Sequence, residues 1–417
     1  MQRQALNLDE RDEAALAGDD GEGARLAMRV LARVATLMGA ERLLDISGAH
    51  IDGCLYHGRA GLDFARRLVD GGARVRVPTT LNVGSLDLLH PGRYRGDPET
   101  AGQARALMDA HVALGCRPTW TCAPYQLPGA RPALGAQVAW GESNAIVFAN
   151  SVLGARTERY GDFLDLCAAI TGRAPDAGLH RDEGRRARIV VRLGGLPGRV
   201  LARDLLFPVL GALVGAEVGD AVPVLDGLPA ATQDQLKALG AAAASTGSVA
   251  MFHAVGLTPE APTLDAALGG RRPDREIEVT TRDLRRAHER LSGEPGPLDA
   301  VSVGTPHASE SELRRLAELV AGSAPRIPLY ASTARDVLER AGVAGELEAA
   351  GVTMVTDTCT YVTPIMESAE VVMTDSGKWA YYAPGNLGIR AVLGSLEECV
   401  RSAAAGRVEL DGQSWDG

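Results

Sequence analysis

The feature that most constrains this chain is the regular alternation of short apolar runs with amphipathic helical stretches. It is cleanest after residue 297. The runs LDAVSV, PLYAS, GVTMVT and EVVMT each end in a polar loop. Two of those loops lead into well-signalled helices. SESELRRLAELV opens with Ser309 and Glu312 at capping-box spacing, and STARDVLERAG takes Ser332 or Thr333 as its cap. Such strand–helix alternation predicts parallel sheets with helical crossovers. The loops GTPHAS, ASTA, DTCT and TDSGKW then fall on the carboxyl edge of one sheet, where ligands bind in open α/β folds.

The same alternation runs upstream. LDERDEAAL and GARLAMRVLARVATLMG read as helices, and ERLLDI as a strand ending at SGAHIDG. A helix over GLDFARRLVDGG, a strand over ARVRV and a polar loop, PTTLNVGS, follow. A helix over PETAGQARALMDAHVALG leads to the loop PTWTCAPYQ, and ESNAIVFANSVLG reads as a further helix. In the middle, RARIVVRLGG, AVPVLDG and VAMFHAVG read as strands, and RDLLFPVLGALVGAEVG, TQDQLKALGAAAA (capped by Thr232) and TRDLRRAHERL as helices. A chain of 417 residues exceeds one ordinary core. The expected division is an N-terminal α/β domain over 1–175, a middle α/β domain over 176–297 and a C-terminal α/β domain over 298–417, the last boundary marked by the Pro-rich SGEPGP.

Composition removes several classes of function. The net charge is −10 and no basic run is interleaved with aromatics, which argues against a nucleic-acid partner. The N-terminus is polar and acidic, and no segment is long and apolar enough to span a bilayer, so a cytoplasmic protein with no membrane partner is expected. Six scattered cysteines follow no disulfide spacing.

Cys167 and Cys399 sit in helical patterns and read as small buried apolar residues. Cys122 in WTCAPYQ and Cys359 in TDTCTYVTP sit on polar loops, where a thiolate can be aimed at a metal or cluster. With no CxxC, spacing alone favours ordinary buried thiols. His50, His253 and His307 each follow an apolar run; His50 and His307 have the better loop context for acid–base work. Lys378 in TDSGKW lacks the glycine and hydroxyl pattern of a nucleotide loop, but suits a substrate carboxylate or phosphate. Glu142, Asn144, Asn150 and Ser151 fall within a few turns of one helix. They read equally as an active-site wall or as a capped helix with partnered amides.

In this order, SGAHIDG, PTTLNVGSLD, TCAPYQ, ESNAIVFANSVLGART, DTCTYV and SGKWAYYAPGNLG resemble the aconitase X family. The resemblance spans residue 47 to about 388. It implies a three-domain aconitase-like fold of parallel sheets that lacks the small swivelling domain, and hence a small swivelling-domain subunit as partner. It implies a hydro-lyase acting on a small hydroxy acid of the cis-3-hydroxy-L-proline kind, with mevalonate 5-phosphate as the alternative substrate. The family places iron or an iron–sulfur cluster on three cysteines. Two match as Cys122 and Cys359; at the third, Thr305 stands in Thr305-Pro306-His307, and Asp375 stands where asparagine is expected.

The implied catalytic residues are His50, Glu142, His307 and Lys378. Ser47, Thr80, Asn82, Asn144, Asn150, Ser151 and Ser376 would bind substrate. An iron centre with an open position would act as a Lewis acid on the departing hydroxyl. With two thiolates the site either keeps a weaker or mononuclear iron centre, works as a cluster-free or mononuclear-metal lyase or isomerase, or serves as a non-catalytic scaffold.

Overall fold

The computed structural model describes residues 6–293, 297–366, 368–411 and 415. It divides into two compact units. One comprises residues 1–86 and 97–186, the other 87–96 and 187–417.

In the first unit, β1 (Leu43–Asp45), β2 (Ala49–Ile51), β3 (Thr79–Leu81), β4 (Ala139–Trp140) and β5 (Arg173–Pro175) form two small sheets. β2 lies between β3 and β4, parallel to both. β1 pairs with β5 antiparallel, so the run ERLLDI does not join the parallel sheet as expected. ARVRV is no strand either. The amides of Val75 and Arg76 reach the carbonyls of Leu114 and Ala169, and the paired strand starts later, inside the segment read as a loop. His50 and Thr80 therefore stand within strands, not beyond them. Helices Arg59–Asp70 and Pro98–Ala113 pack on each other, and Leu62, Ala65, Leu107 and Ala110 form a buried cluster between them.

The second unit holds two parallel sheets. β6 (Ile189–Arg192), β7 (Pro223–Asp226), β8 (His253–Ala254) and β9 (Arg275–Glu278) are ordered β8-β7-β6-β9. β9 is an exposed edge strand whose neighbours are ion pairs, Arg188–Asp274 and Arg192–Glu276, so its sequence carries no apolar alternation to announce it. Only His253 and Ala254 of VAMFHAVG pair. Helix Leu206–Val218 is buried on nearly every side and meets helix Gln233–Thr246 so closely that a Cβ at Gly211 would stand 2.2 Å from the Leu239 carbonyl oxygen.

The other sheet contains β10 (Ala300–Ala308), β11 (Leu329–Thr333), β12 (Val352–Val355), β13 (Val371–Thr374) and β14 (Arg390–Leu393), ordered β12-β11-β10-β13-β14 and wholly parallel. The four expected strands form, and β14 is a fifth that the sequence reading missed. Strand order reverses at β10, which makes its carboxyl end a switch point of the kind that binds ligands. Capping boxes start helices Glu310–Gly322 (Ser309, Glu312) and Gln233–Thr246 (Thr232, Gln235), as their spacings require.

Two expectations at this edge need correction. GTPH is not a loop after the strand; it is part of β10, all nine of whose residues are buried. The strand continues because its pairing with β11 slips between Val303 and Ala308, and the extra residues bulge. Gly304 permits the bulge. Its φ is +82°, and a Cβ there would meet the Ser332 carbonyl oxygen at 2.3 Å. Ser332 and Thr333 do not cap the next helix: both are strand residues, and Ala334 stands at the N-cap.

Candidate functional site

In the first unit, Asp52, Asn82 and Glu142 follow the carboxyl ends of β2, β3 and β4. Asn82 Nδ2 donates to Asp52 Oδ1, while Asn82 Oδ1 is buried without a partner. Beneath them, Asp165 is fully buried and accepts from the Asp52 amide at 2.7 Å and from Leu166 N–H at 2.6 Å. Burial pushes its carboxyl up to about 7. A Cβ on Gly141 would lie 2.4 Å from Asp165 Oδ2, so any larger residue there must displace the buried carboxyl. Asp52 and Asp165 escaped the sequence reading; the available signal was an acid inside the otherwise apolar LDLCAAI.

Glu142 caps helix Ser143–Phe148, accepting from Ala145 N–H at 2.8 Å and from Asn144 Nδ2. Asn144 Nδ2 also donates to the Cys122 carbonyl at 2.9 Å, and its Oδ1 accepts from the Tyr125 hydroxyl at 2.7 Å. Glu142, Asn144 and Tyr125 thus hold the backbone of Cys122. Asn150 does different work. Its Nδ2 donates to the Thr157 carbonyl, and its Oδ1 accepts from Thr157 N–H and from the buried Arg185. Asn150 is a structural clamp, and Ser151 lies beside it, buried in the π turn Ala149–Leu153. Ser47 is exposed, its hydroxyl on the Gln137 carbonyl.

His50 is fully buried. Its Nδ1 pairs with Thr80 Oγ1 at 2.8 Å and its Nε2 has no partner. Burial lowers the imidazole to about 3, so the ring is neutral at ordinary pH.

In the second unit, His307 is fully buried within β10, its Nε2 3.1 Å from the Thr358 carbonyl. An Nε2–H donated there leaves the Nδ1 lone pair as the ring's acceptor. Burial first, then nearby Lys237 and Lys378, lowers His307 to about 4, and a neutral imidazole is the form that ligates metals. Thr305 Oγ1 and Ser332 Oγ are both buried without partners. Ser376 caps helix Gly377–Leu387 through Trp379 N–H, and Lys378 is buried in its first turn, 5.9 Å from the Tyr361 ring centre. Asp375 is pushed up to about 7 by burial and by Glu312.

The two loop cysteines are placed by the same backbone device. Each ends a Thr-x-Thr-Cys run: Thr119-Trp120-Thr121-Cys122 and Thr356-Asp357-Thr358-Cys359. In each, the residue two before the cysteine is a non-glycine in the left-handed region, Trp120 at φ +44° and Asp357 at φ +64°. Such residues cost roughly 1–3 kcal/mol and persist only where the surroundings over-determine them. Trp120 is held by burial, and Asp357 by a two-point pairing with Arg335 and by the Leu88 amide. The repeat is legible in the sequence. Cys167 and Cys399 are buried in helices, as expected.

Cys122 in the first unit and His307 and Cys359 in the second are all buried, and each offers an atom that could ligate a metal ion. Cysteine sulfur and a neutral imidazole are donor types that suit iron, and Thr305, two residues before His307, keeps a buried hydroxyl without a partner.

Comparison with known proteins accounts for these motifs. Models of the aconitase X first, second and third domains match residues 5–183, 187–289 and 298–405. The chain is 46% identical to a cis-3-hydroxy-L-proline dehydratase of Pseudomonas aeruginosa, over 98% of this chain and 72% of that protein. It is 34% identical to the phosphomevalonate dehydratase large subunit of Methanosarcina mazei, over 98% of this chain and all of that subunit. The crystal structure of Thermococcus kodakaraensis aconitase X in its holo form superposes with a TM-score of 0.86 at 34% identity, covering 95% of this chain and 100% of that one. The chain belongs to the aconitase X family, whose named relatives here are dehydratases.

Proposed function

We propose that this chain is the large subunit of a hydro-lyase that dehydrates a small hydroxy acid of the cis-3-hydroxy-L-proline class at an iron centre. The observation that carries this reading is that Cys122, His307 and Cys359, each a potential metal ligand, are all buried in a chain of this family. Threonine in place of a third cysteine favours a single iron over a cluster, because clusters are held by thiolates. Hydroxyproline is favoured over mevalonate 5-phosphate because identity to the two cis-3-hydroxy-L-proline dehydratases is 46% and 43%, against 32–36% for the phosphomevalonate enzymes.

Iron bound there would supply Lewis acidity to the leaving hydroxyl. The protein's own groups do the rest. Lys378 binds the substrate carboxylate. Thr305, Asn82 and Ser376 orient polar groups of the substrate. Glu142, Asn144 and Tyr125 fix the Cys122 backbone, and the Thr358 carbonyl fixes the His307 tautomer. The division at residues 175 and 297 belongs to the same reading, as does a cytoplasmic location. A separate small subunit completes the catalytic unit, by analogy with the archaeal relatives named as large subunits.

The test is a dehydration assay on cis-3-hydroxy-L-proline and on mevalonate 5-phosphate with anaerobically iron-loaded chain, alone and with a small partner. The reading expects turnover of the first substrate that depends on iron and on the partner. Turnover by iron-free protein would refute the metal role, and turnover of the phosphorylated acid alone would refute the substrate.

A further inference from the structure

The first unit carries a second cleft, of about 740 Å³, away from the carboxyl edge of its sheet. Its lining takes residues that precede the strands, such as Ser47, Val77, Pro78 and Val138, and omits Asp52, Asn82, Cys122 and Glu142. Arg76, Arg117 and Arg131 line it, and no carboxylate does. In a chain of net charge −10 this is an unusual concentration of one sign. Arg76 is already ion-paired with Asp20, and Arg131 Nε donates to the Tyr125 carbonyl at 2.8 Å, which sets the direction of its guanidinium.

The floor is a cross-strand row. His50 is in register with Thr80 on β3 and with Trp140 on β4, so the three side chains share one face of the sheet. Thr80 and Trp140 line the cleft; His50 lies between them, fully buried, with Nε2 unpartnered. A buried polar atom without a partner is unfavourable, so the row favours a ligand that supplies one. Val75, Val77 and the Trp140 ring supply apolar surface for the body of such a ligand.

We infer that this cleft is a binding site for a small organic anion, carrying a phosphate or carboxylate group held by Arg117 and Arg131, with its body against Trp140 beside the His50–Thr80 pair. The inference is independent of the iron reading, since it uses none of the proposed ligands. It also reassigns Ser47, His50 and Thr80 from the substrate pocket to this cleft.

The experiment is calorimetric titration of the full chain with pyrophosphate and, separately, with citrate, repeated on Arg117→Gln, Arg131→Gln and Cys359→Ser. The expected result is binding of at least one probe, weakened about tenfold or more in either arginine variant and unchanged in Cys359→Ser. Which probe binds more tightly decides between phosphate and carboxylate. Should an arginine variant fail to fold, the histidine ¹⁵N signals of the unmodified chain and the fluorescence difference between it and Trp140→Phe serve instead, and the probe must shift both. No binding at about 1 mM of either probe, binding equal in all variants, or a loss in Cys359→Ser would overturn the assignment.

Discussion

The two cysteine loops use one sequence pattern and one backbone geometry, yet they are held in different ways. In the first unit Trp120 takes the left-handed conformation inside a packed wall, and Asn144 clamps the Cys122 carbonyl from a helix that Glu142 caps. In the second unit Asp357 takes it under an ion pair with Arg335, which is 40% exposed. One thiol is positioned by packing and buried amides, the other by a charge pair that reaches solvent. The lesson is that the same strained turn can be paid for with apolar contacts or with electrostatics, and the two should fail under different perturbations.

The largest effect should come from removing either thiol. Cys122→Ser and Cys359→Ser should each lower dehydration by more than about 100-fold, since even partners of metal ligands are worth 10–100-fold; iron bound per chain reads the cause. Next, Arg335→Ala should weaken iron binding about 10–100-fold while leaving the Cys122 loop intact by hydrogen exchange. Its effect should shrink when salt is raised in the unmodified protein's comparison series, whereas that of Asn144→Ala should not. If both respond equally to salt, the contrast between the loops is wrong.

Gly141→Ala should destabilise the chain by about 1–3 kcal/mol in urea unfolding, because the added methyl collides with the buried Asp165. The buried acid also makes a pH prediction. Asp165 titrates at about 7 when folded, against an ordinary 3.8, so the folded state holds the proton more tightly. Its contribution to stability is therefore greatest below about 4, falls as pH rises through about 7, and is level above that. Asp165→Asn should flatten that decline by about one proton; Asp375, also at about 7, leaves a remaining slope of the same sign. The smallest effect belongs to Cys399→Ala, a helix residue among apolar neighbours, expected to cost about 1 kcal/mol and no iron.

Much of this was legible in the sequence, where local signals and tertiary use agree. Ser309 with Glu312 and Thr232 start helices because capping satisfies exposed amides whatever the tertiary context. The apolar runs before Thr305, Thr356 and Thr374 became parallel strands because burial on both faces demands such runs. What stayed hidden depends on partners remote in sequence. β9 is too charged to look like a strand. ARVRV spends its amides on loops, although its composition suits a ladder. Asn150 reads as a candidate ligand until Arg185 and Thr157 are seen to consume its amide. His50 reads as a loop residue in the sequence, and only the β2–β3–β4 register shows it inside a strand between Thr80 and Trp140. Thr305 was identified from the family motif; that its hydroxyl is buried without a partner needed the fold.

The most direct test of the central claim is iron K-edge X-ray absorption on the anaerobically loaded chain, beside Thr305→Cys. The account predicts about one iron per chain with two sulfur neighbours and a histidine nitrogen. It predicts a third sulfur, with cluster-type absorbance, in the variant. An iron shell without sulfur in the unmodified chain, or a sulfur count that stays at two in Thr305→Cys, would contradict it.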